Sequence, residues 1–372
     1  MNKIILAILS ILILAVIAGI FFAKRGQQPL PITALTPTIV NLGSDSDVQD
    51  LSALPNSKAK TVMVFGATVD SASYRYPGHW YGSIDEEASK REIDAMVEMG
   101  IDFFRIDVRS ETLGYAEEMK KLDNIVTYGR SKGLRVYFGV FGMETWMASW
   151  LDMFWTYPNG GGGKASWDDF RKMYTGEVDT IMNRYKPDYI MIIPEARRNI
   201  GNQVNSVRTV DEWVIYTKEL AAKIKNISPS TKVVLNEVVR SEDKNSSVDY
   251  VGAIMKDNDK NIDIIGIDPY SPEELNDEMS TVTRLAERYK WHGRLRIGET
   301  NIFNVKDDDY QKKYFETAID LAIENNFEGF VVFYFRDIPG QTDKRGILNN
   351  DFSKKPAYEV INKKIESIRQ SE

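Results

Sequence analysis

Several acidic residues of this sequence directly follow short apolar runs, as residues do where a buried strand ends. Residues 189–193 form one such run, Pro194 stops it because proline cannot donate a ladder hydrogen bond, and Glu195 follows. Another run ends in Glu299. Two carboxyl groups about 5–5.5 Å apart can break a glycosidic bond with retention, one protonating the leaving oxygen and the other attacking the anomeric carbon. One group must then be protonated and the other ionised, so we expect different surroundings for the two.

Alternating strands and helices, predicted from residue 61 onward, would bring these carboxylates together. The predicted strands are residues 61–68, 103–108, 134–141, 189–193, 232–237, 263–268, 294–299 and 329–335. The predicted helices are residues 85–99, 115–131, 168–185, 211–226, 249–256, 272–290, 308–326 and 353–368. Eight strands, each followed by a helix, predict an α/β fold of the (β/α)8 TIM-barrel type over residues 61–372. An open doubly wound sheet shares the alternation, but no glycine-rich phosphate loop follows the first strand.

The C-terminal ends of barrel strands carry the chemistry in such folds, so the residues there are the candidates for a site. Polar or aromatic side chains occupy most of these ends: Arg105, Glu195, Asn236, Glu237, Asp268, Tyr270, Glu299 and Tyr334. A buried carboxylate is costly unless it is paired or hydrogen-bonded, so a ring of them predicts a polar cavity. Arg105 could keep a nucleophilic carboxylate ionised through a charge-assisted hydrogen bond. For any single acidic residue, a salt bridge or a helix cap at the turn is the simpler interpretation.

Aromatic residues near the predicted mouth suggest a groove for sugars. His79 and Trp80 follow the first strand, and Trp146 lies in a long aromatic segment after the third strand. The C–H faces of sugar rings stack on flat aromatic side chains, so we expect these residues to bind substrate. Two alternatives stay open, because Trp146 and Trp150 are four residues apart and could form a helix face that packs on the barrel. His79 could also cap its loop.

Composition excludes several classes of function. The net charge of −7 and the pI near 5.3 provide no basic surface, so no nucleic-acid partner is expected. The absence of cysteine excludes disulfides, thiolate metal sites and cysteine nucleophiles. With only His79 and His292, a site built on several histidines is also excluded. We therefore expect no cofactor and no resident metal.

The N-terminal residues 1–25 predict a membrane anchor or signal segment. Residues 4–23 are apolar and uncharged, and their length matches one crossing of the bilayer core. This run is longer than the apolar part of a cleavable signal peptide, about 7–15 residues, so an uncleaved transmembrane signal-anchor helix is favoured. Residues 26–60, rich in Pro, Ser and Thr, predict a linker. We expect a membrane-anchored protein with an extracytoplasmic catalytic domain, or a secreted one if the segment is cleaved.

With this strand order, the chain resembles the clan A glycoside hydrolase superfamily of retaining (β/α)8 glycosidases, as a distant member. The resemblance covers residues 61–372 and implies that Glu195 is the acid/base and that Glu299, within Ile-Gly-Glu-Thr-Asn, is the nucleophile. Arg105 matches the arginine of the family's second strand, and Tyr270 an aromatic residue near the nucleophile. The implied activity is retaining double-displacement hydrolysis of a β-linked oligo- or polysaccharide. The other strand-end residues and the aromatic residues above would bind this substrate.

The sequence departs from the family pattern at three places. Pro194 stands where the family has a sugar-binding Asn before the acid/base, and Asn236-Glu237 carries the familiar dipeptide one strand later. The usual tryptophan of strand eight is replaced by other aromatic residues, Tyr334 among them.

Two alternatives for the function follow from the same residues. The departure at Pro194 favours a catalytically inactive carbohydrate-binding barrel. The second alternative is a metal-dependent barrel enzyme in which Glu195, Glu237 and Asp268 provide oxygen ligands of the kind that suits Mg²⁺.

Overall fold

The computed structural model describes residues 63–73, 84–142, 165–196, 204, 206–241, 247–302, 305, 307–337 and 344–371. In these ranges the chain forms a closed barrel of eight parallel strands that pair in chain order, and the last strand pairs with the first. The strands are β1 (Val64–Thr68), β2 (Phe103–Val108), β3 (Arg135–Val140), β4 (Tyr189–Met191), β5 (Lys232–Glu237), β6 (Ile264–Ile267), β7 (Arg294–Thr300) and β8 (Gly329–Val332). The predicted (β/α)8 barrel is confirmed.

Helices lie between consecutive strands and after the last one. Within the described ranges they are α1 (Glu86–Met99), α2 (Ser110–Gly114), α3 (Ala116–Ser131), α4 (Trp167–Tyr185), α5 (Val210–Ile227), α6 (Val248–Asp257), α7 (Pro272–Tyr289), α8 (Asp308–Glu324) and α9 (Pro356–Gln370). Their starts follow the local sequence: Asp85 accepts the N–H of Ala88 at 3.0 Å, and Thr209 and Glu212 form a reciprocal capping box. Asp85 is thus the N-cap of α1.

Predicted and observed element boundaries differ by at most three residues. The short helix α2 has no predicted counterpart. Strand β4 ends at Met191, two residues earlier than its apolar run predicts. The extended backbone ends here, because Ile193 has a φ of 49°, which lies outside the region that a strand requires.

The inside of the barrel combines a column of large side chains with glycines that make room for them. The inward-facing apolar residues are Phe103, Tyr137, Tyr189, Met191, Val234, Ile264 and Val331. A Cβ at Gly66 would lie 2.0 Å from the ring of Phe103, and a Cβ at Gly298 would lie 2.2 Å from Oδ1 of Asn236. These glycines are therefore required by the close approach of the facing side chain, and Asn236 extends into the barrel interior.

A buried ion pair lies at the N-terminal end of the barrel, opposite the expected site. The Arg296 guanidinium donates from Nε to Glu328 at 2.9 Å, and its Cζ lies 4.5 Å from the ring centre of Tyr189. The pair satisfies a charge that would otherwise be buried alone. Side chains therefore fill the N-terminal end of the barrel, and the C-terminal strand ends are the place where a site can form.

The predicted membrane segment and linker, residues 1–60, lie outside the described residues. Among the helices that the structure describes, none is both long enough and apolar enough to cross a bilayer.

Candidate active site

Glu299 faces the barrel interior because strand β7 is irregular at this point. The pairing of β7 with β8 changes register between Ile297 and Thr300. Gly298 adjoins the inward-facing Asn236, and the carboxylate of Glu299, the next residue, binds the buried Arg105. Two consecutive residues thus face the interior, which a regular strand does not allow and a bulge does.

The Glu299 carboxylate is buried and accepts hydrogen bonds on both oxygens. Nη2 of Arg105 donates to Oε1, and the Tyr270 hydroxyl donates to Oε2 at 2.8 Å. The side chain of Glu299 is 6% exposed, and that of Arg105 is fully buried. A guanidinium and a phenol thus each donate to one oxygen of this carboxylate, and the two bonds fix its orientation.

Arg105 is itself held by a second carboxylate, which the sequence does not single out as a site residue. Its Nε donates to Oδ1 of Asp107 at 2.6 Å, and its Nη1 donates to the carbonyl of Gly298 at 3.2 Å. The backbone N–H of Asp107 donates to Oγ of Ser73 at 3.0 Å. The sequence signal that could have identified Asp107 is its position two residues after Arg105, because residues two apart on a strand face the same side.

Aromatic rings surround this guanidinium. The Cζ of Arg105 lies 5.5 Å from the ring centres of both Tyr137 and Phe333, and Phe333 meets Tyr270 edge-on at 5.8 Å. Tyr334 is half-buried beside Phe333, with ring centres 4.9 Å apart. The aromatic pair after β8 therefore borders the residues that hold Glu299.

Glu195 lies on a turn after β4 and is only half-buried, unlike Glu299. Its φ is 48°, in the left-handed region, and its N–H donates to the carbonyl of Asn236 at 2.9 Å. The next N–H, that of Ala196, donates to Oε1 of Glu237 at 2.9 Å. The predicted site residues Asn236 and Glu237 are thus brought together with Glu195 through its backbone.

Asp268 is a third carboxyl group at the same mouth, directly after β6. It is 1% exposed, and its N–H donates to Oε2 of Glu278 at 3.1 Å. Burial raises the pKa of the Asp268 carboxyl well above its usual value, and the negative charges of Glu299 and Glu195 raise it further. Asp268 therefore exists as a neutral acid over a wider pH range than an exposed aspartate does.

The side chain of Asn236 lies deeper, between Gly266 and Gly298. A Cβ at Gly266 would be 2.0 Å from Asn236 Oδ1, and neither the oxygen nor the nitrogen of the amide has a hydrogen-bond partner among the described residues. Asn236 thus contacts the Glu195 turn through its main chain. The substrate contacts expected of its side chain stay a prediction, as do those of His79, Trp80 and Trp146, which lie outside the described residues.

The proposed oxygen-ligand set for a metal is not formed. In the part of the chain that the structure describes, no group of three or more acidic, imidazole or thiol side chains is arranged to hold a metal ion. Glu195, Glu237 and Asp268 belong to this part, and Glu237 binds a backbone N–H instead. The geometry does not fit the metal-dependent alternative.

Comparisons with solved structures identify relatives of the barrel. A GH5-4 broad specificity endoglucanase from Clostridium longisporum aligns with a TM-score of 0.56 and 13% identity, over 82% of this chain and 97% of that one. An exo-β-1,4-mannosidase from Opitutaceae bacterium strain TAV5 aligns with a TM-score of 0.58 and 12% identity, over 83% of this chain and 60% of that one. A GH10 endoxylanase from a sugarcane soil metagenome aligns with a TM-score of 0.55 and 11% identity, over 82% and 96%.

These similarities concern the fold, since the identities are low. No protein-family model and no curated protein sequence matches the chain. The barrel therefore shares the fold of these solved glycoside hydrolases, and this is the fold that the resemblance implied.

Proposed function

We propose that this protein is a retaining glycoside hydrolase that cleaves a β-linked oligo- or polysaccharide, with Glu299 as nucleophile and Glu195 as acid/base. The observation that carries the proposal is the buried Glu299 carboxylate at the C-terminal strand ends, bound by Arg105 and Tyr270. The glycoside-hydrolase-type fold supports the reaction class.

The first half-reaction would form a glycosyl-enzyme. An oxygen of Glu299 attacks the anomeric carbon, the glycosidic C–O bond breaks, and Glu195 gives its proton to the leaving oxygen. The bonds from Arg105 and Tyr270 fix the orientation of the nucleophile.

The second half-reaction would use the same groups in reverse. Glu195, now a carboxylate, takes a proton from water as that water attacks the anomeric carbon, and the bond to Glu299 breaks. The half-exposed position of Glu195 at the mouth suits this role, because the entering water must reach it.

Neutral glycans are the substrates that the surface charge favours. The net charge of −7 disfavours polyanionic polymers, and the structural relatives include an endoglucanase, a mannosidase and a xylanase by name. Phe333, Tyr334 and Tyr270 provide aromatic faces beside the nucleophile on which sugar rings can stack.

A non-catalytic glycan-binding barrel is the second candidate. Pro194 precedes Glu195 where the related enzymes have a sugar-binding asparagine, so one substrate contact of the family is absent from this chain. Tight binding of a glycan without hydrolysis by the wild-type protein would decide for this candidate.

The test is a comparison of three variants on a panel of aryl β-glycosides and β-glucan, β-mannan and β-xylan oligomers. We expect Glu195→Gln to lower kcat/KM on oligomers by roughly 10²- to 10⁴-fold, the range that general acid catalysis contributes. Glu299→Gln should abolish turnover of all substrates, because no covalent intermediate can form. Glu98→Gln is the control, since Glu98 is exposed and pairs with Lys354 on the outer surface.

A 2-deoxy-2-fluoro-β-glycoside with a good leaving group tests the intermediate directly. It should increase the mass of the peptide that contains Glu299 by one fluoroglycosyl group. Labelling at another residue, or unchanged hydrolysis in both site variants, would refute the assignment.

We further propose that residues 1–25 anchor the protein in a membrane with the barrel outside the cytoplasm. The uncharged apolar run of residues 4–23 supports this proposal. The full chain should sediment with membranes and be cut by protease added to intact cells, whereas a chain that begins at residue 26 should not sediment. Soluble full-length protein with an intact N-terminus would exclude the anchor.

A further inference from the structure

The turn that carries Glu195 has an unfavourable backbone conformation. Ile193 and Glu195 have φ angles of 49° and 48°, in the left-handed region that glycine favours. Ile193 is β-branched and precedes Pro194, and both features restrict its backbone further. Such a conformation persists only where surrounding groups hold it.

Every backbone N–H of this turn is bound by a group from elsewhere in the barrel. Residue 194 is proline and has none, and the N–H groups of residues 193, 195 and 196 donate at 2.7, 2.9 and 2.9 Å. Their acceptors are, in that order, the Tyr174 hydroxyl, the Asn236 carbonyl and the Glu237 carboxylate. Two acceptors come from β5, and only Tyr174 comes from a helix.

The hydroxyl of Tyr174 binds the first residue of the turn, and it both accepts and donates a hydrogen bond. It accepts the N–H of Ile193 and donates to the carbonyl of Val140, the last residue of β3, at 2.6 Å. Its ring is fully buried and stacks on Phe170 with centres 5.5 Å apart. The packing of α4 therefore fixes where the hydroxyl lies, and the hydroxyl joins the ends of β3 and β4.

Loss of the hydroxyl would affect one of the two site carboxylates and not the other. The N–H of Ile193 would be buried without this acceptor, and the strained backbone of this residue would lose its hydrogen bond to α4. Glu195 follows two residues later. Glu299 is held separately, by Arg105 and Tyr270.

We infer that Tyr174 is a positioning residue for the acid/base, and that its hydroxyl holds the Ile193–Glu195 turn in the conformation in which Glu195 reaches the leaving oxygen. This inference rests on the proposed role of Glu195. It predicts a defect in proton donation, with nucleophilic attack by Glu299 preserved.

The test uses two aryl glycosides of one sugar that differ only in their need for a proton. Phenolate is a poor leaving group and needs general acid assistance, whereas 2,4-dinitrophenolate leaves without it. We expect Tyr174→Phe to lower kcat/KM for the phenyl glycoside by roughly 10- to 100-fold, part of the contribution of a general acid. For the dinitrophenyl glycoside kcat/KM should change by less than about 3-fold, since the proton is not required.

Tyr358→Phe is the matched control. Tyr358, on α9, is also a buried tyrosine of the outer helices, and its hydroxyl donates to the carbonyl of Ala95 on α1 at 3.0 Å. This substitution removes a buried hydroxyl that bonds neither α4 nor the turn after β4, so the kcat/KM values for the two substrates should keep the wild-type ratio. Equal losses on both substrates for Tyr174→Phe, or no loss on either, would overturn the inference.

Glu195→Gln separates failure of the inference from failure of the proposed function. If Glu195→Gln itself shows no dependence on the leaving group, the acid/base assignment is wrong. If Glu195→Gln shows the dependence and Tyr174→Phe does not, only the positioning role is wrong.

Should Tyr174→Phe fail to fold, 3-fluorotyrosine at position 174 provides the same test. Fluorine makes the hydroxyl a weaker acceptor for the Ile193 N–H while the ring and the O–H are kept. The ratio of the two kcat/KM values should then move in the same direction as in Glu195→Gln, and an unchanged ratio would refute the role.

Discussion

Three carboxyl groups meet at the mouth of this barrel, and each has different surroundings. Glu299 is buried and accepts bonds from a guanidinium and a phenol, whereas Glu195 is half-buried on its turn. Asp268 is buried, and its Oδ1 has no hydrogen-bond partner among the described residues. A buried carboxylate oxygen without a donor disfavours the ionised form, so the Asp268 carboxyl keeps a proton to higher pH than an exposed aspartate does.

The first prediction concerns the pH dependence of stability at Asp268. Because burial raises the pKa of its carboxyl in the folded protein, the stability that this group contributes is fully present below about pH 4, the unfolded pKa, and is lost as pH rises through the folded pKa. Asp268→Asn imitates the neutral acid and removes this loss. Urea denaturation at about pH 5 and about pH 8 should show a smaller fall in unfolding free energy for the variant, by about 1.4 kcal/mol for each unit by which the folded pKa lies above 5 within this range.

Asp351→Asn is the control, because the pKa of Asp351 is shifted in the opposite direction to that of Asp268. Hydrogen bonds from Ser353 lower the pKa of the exposed Asp351, so its contribution is present above its usual pKa and is lost as pH falls. This variant should not change the fall between the two pH values. Equal falls for wild type and Asp268→Asn would contradict a raised pKa at Asp268.

Strand β7 shows how one element sets the position of the nucleophile. Its register shift lets Gly298 and Glu299 both face the interior, and Gly298 lies against the amide of Asn236. The carbonyl of Asn236 in turn accepts the N–H of Glu195. The bulge in β7 and the turn after β4 are thus linked through one residue of β5.

The second prediction is that a methyl group at residue 298 affects both stability and activity. A Cβ there would lie 2.2 Å from Oδ1 and 2.5 Å from Nδ2 of Asn236, so β7 or Asn236 must move. Gly298→Ala should lower the unfolding free energy by about 1–3 kcal/mol, as overpacking does. It should also lower kcat/KM by roughly 10-fold or more, because small displacements of reacting groups have large effects on rate.

Gly252→Ala on α6 is the matched control. A Cβ at Gly252 would have its nearest neighbour at 3.6 Å, an ordinary contact, and alanine favours a helix over glycine by about 0.5–1 kcal/mol. This variant should be as stable as wild type or more so, with unchanged kcat/KM. A Gly298→Ala protein that behaves in the same way would show that Asn236 does not constrain β7.

At the scale of the elements, the sequence predicts features that depend on neighbouring residues, and it does not predict features that depend on tertiary contacts. Apolar runs in the sequence mark all eight strands, and capping residues mark helix starts, because both signals depend on residues close in the chain. The early end of β4 is not visible in the sequence, because a β-branched Ile193 favours an extended backbone. Hydrogen bonds to Tyr174 and β5, which are distant in the chain, hold the turn in another conformation. Tyr174 itself has the pattern of a buried helix residue, four after Phe170, and nothing nearby in sequence reveals the partner of its hydroxyl.

At the scale of the whole molecule, buried charges join the segment after the first strand of the barrel to the segment after the last strand. Nε of Arg336 donates to Oε1 of Glu92 at 2.7 Å, and Nη2 donates to Oγ of Ser71 at 2.7 Å. Ser71 donates to the same glutamate from its N–H and its hydroxyl. Oδ2 of Asp70 accepts the N–H groups of Phe335 and Arg336. The loop after β1, helix α1 and the loop after β8 thus share one network, and this network supports the segment that carries Phe333 and Tyr334.

The third prediction concerns this network. Arg336→Met removes the positive partner of the fully buried Glu92 and should lower the unfolding free energy by about 3–5 kcal/mol near pH 8. Burial raises the pKa of the Glu92 carboxyl, so protonation should relieve part of this loss as pH falls. In a double-mutant cycle by urea denaturation, Glu92→Gln should restore part of the stability of Arg336→Met. Strict additivity of the two substitutions would show that the charges are not coupled.

The order of synthesis gives this network a consequence for folding on the ribosome. Glu92 precedes its partner Arg336 by 244 residues, so at about 5–20 residues per second the ribosome makes the partner roughly 10–50 seconds later. During that interval helix α1 cannot bury Glu92 next to a positive charge, and the edge of β1 has no β8 to pair with. The barrel therefore closes only after β8 has emerged, and a nascent chain that stalls before β8 exposes an unpaired strand edge to its neighbours.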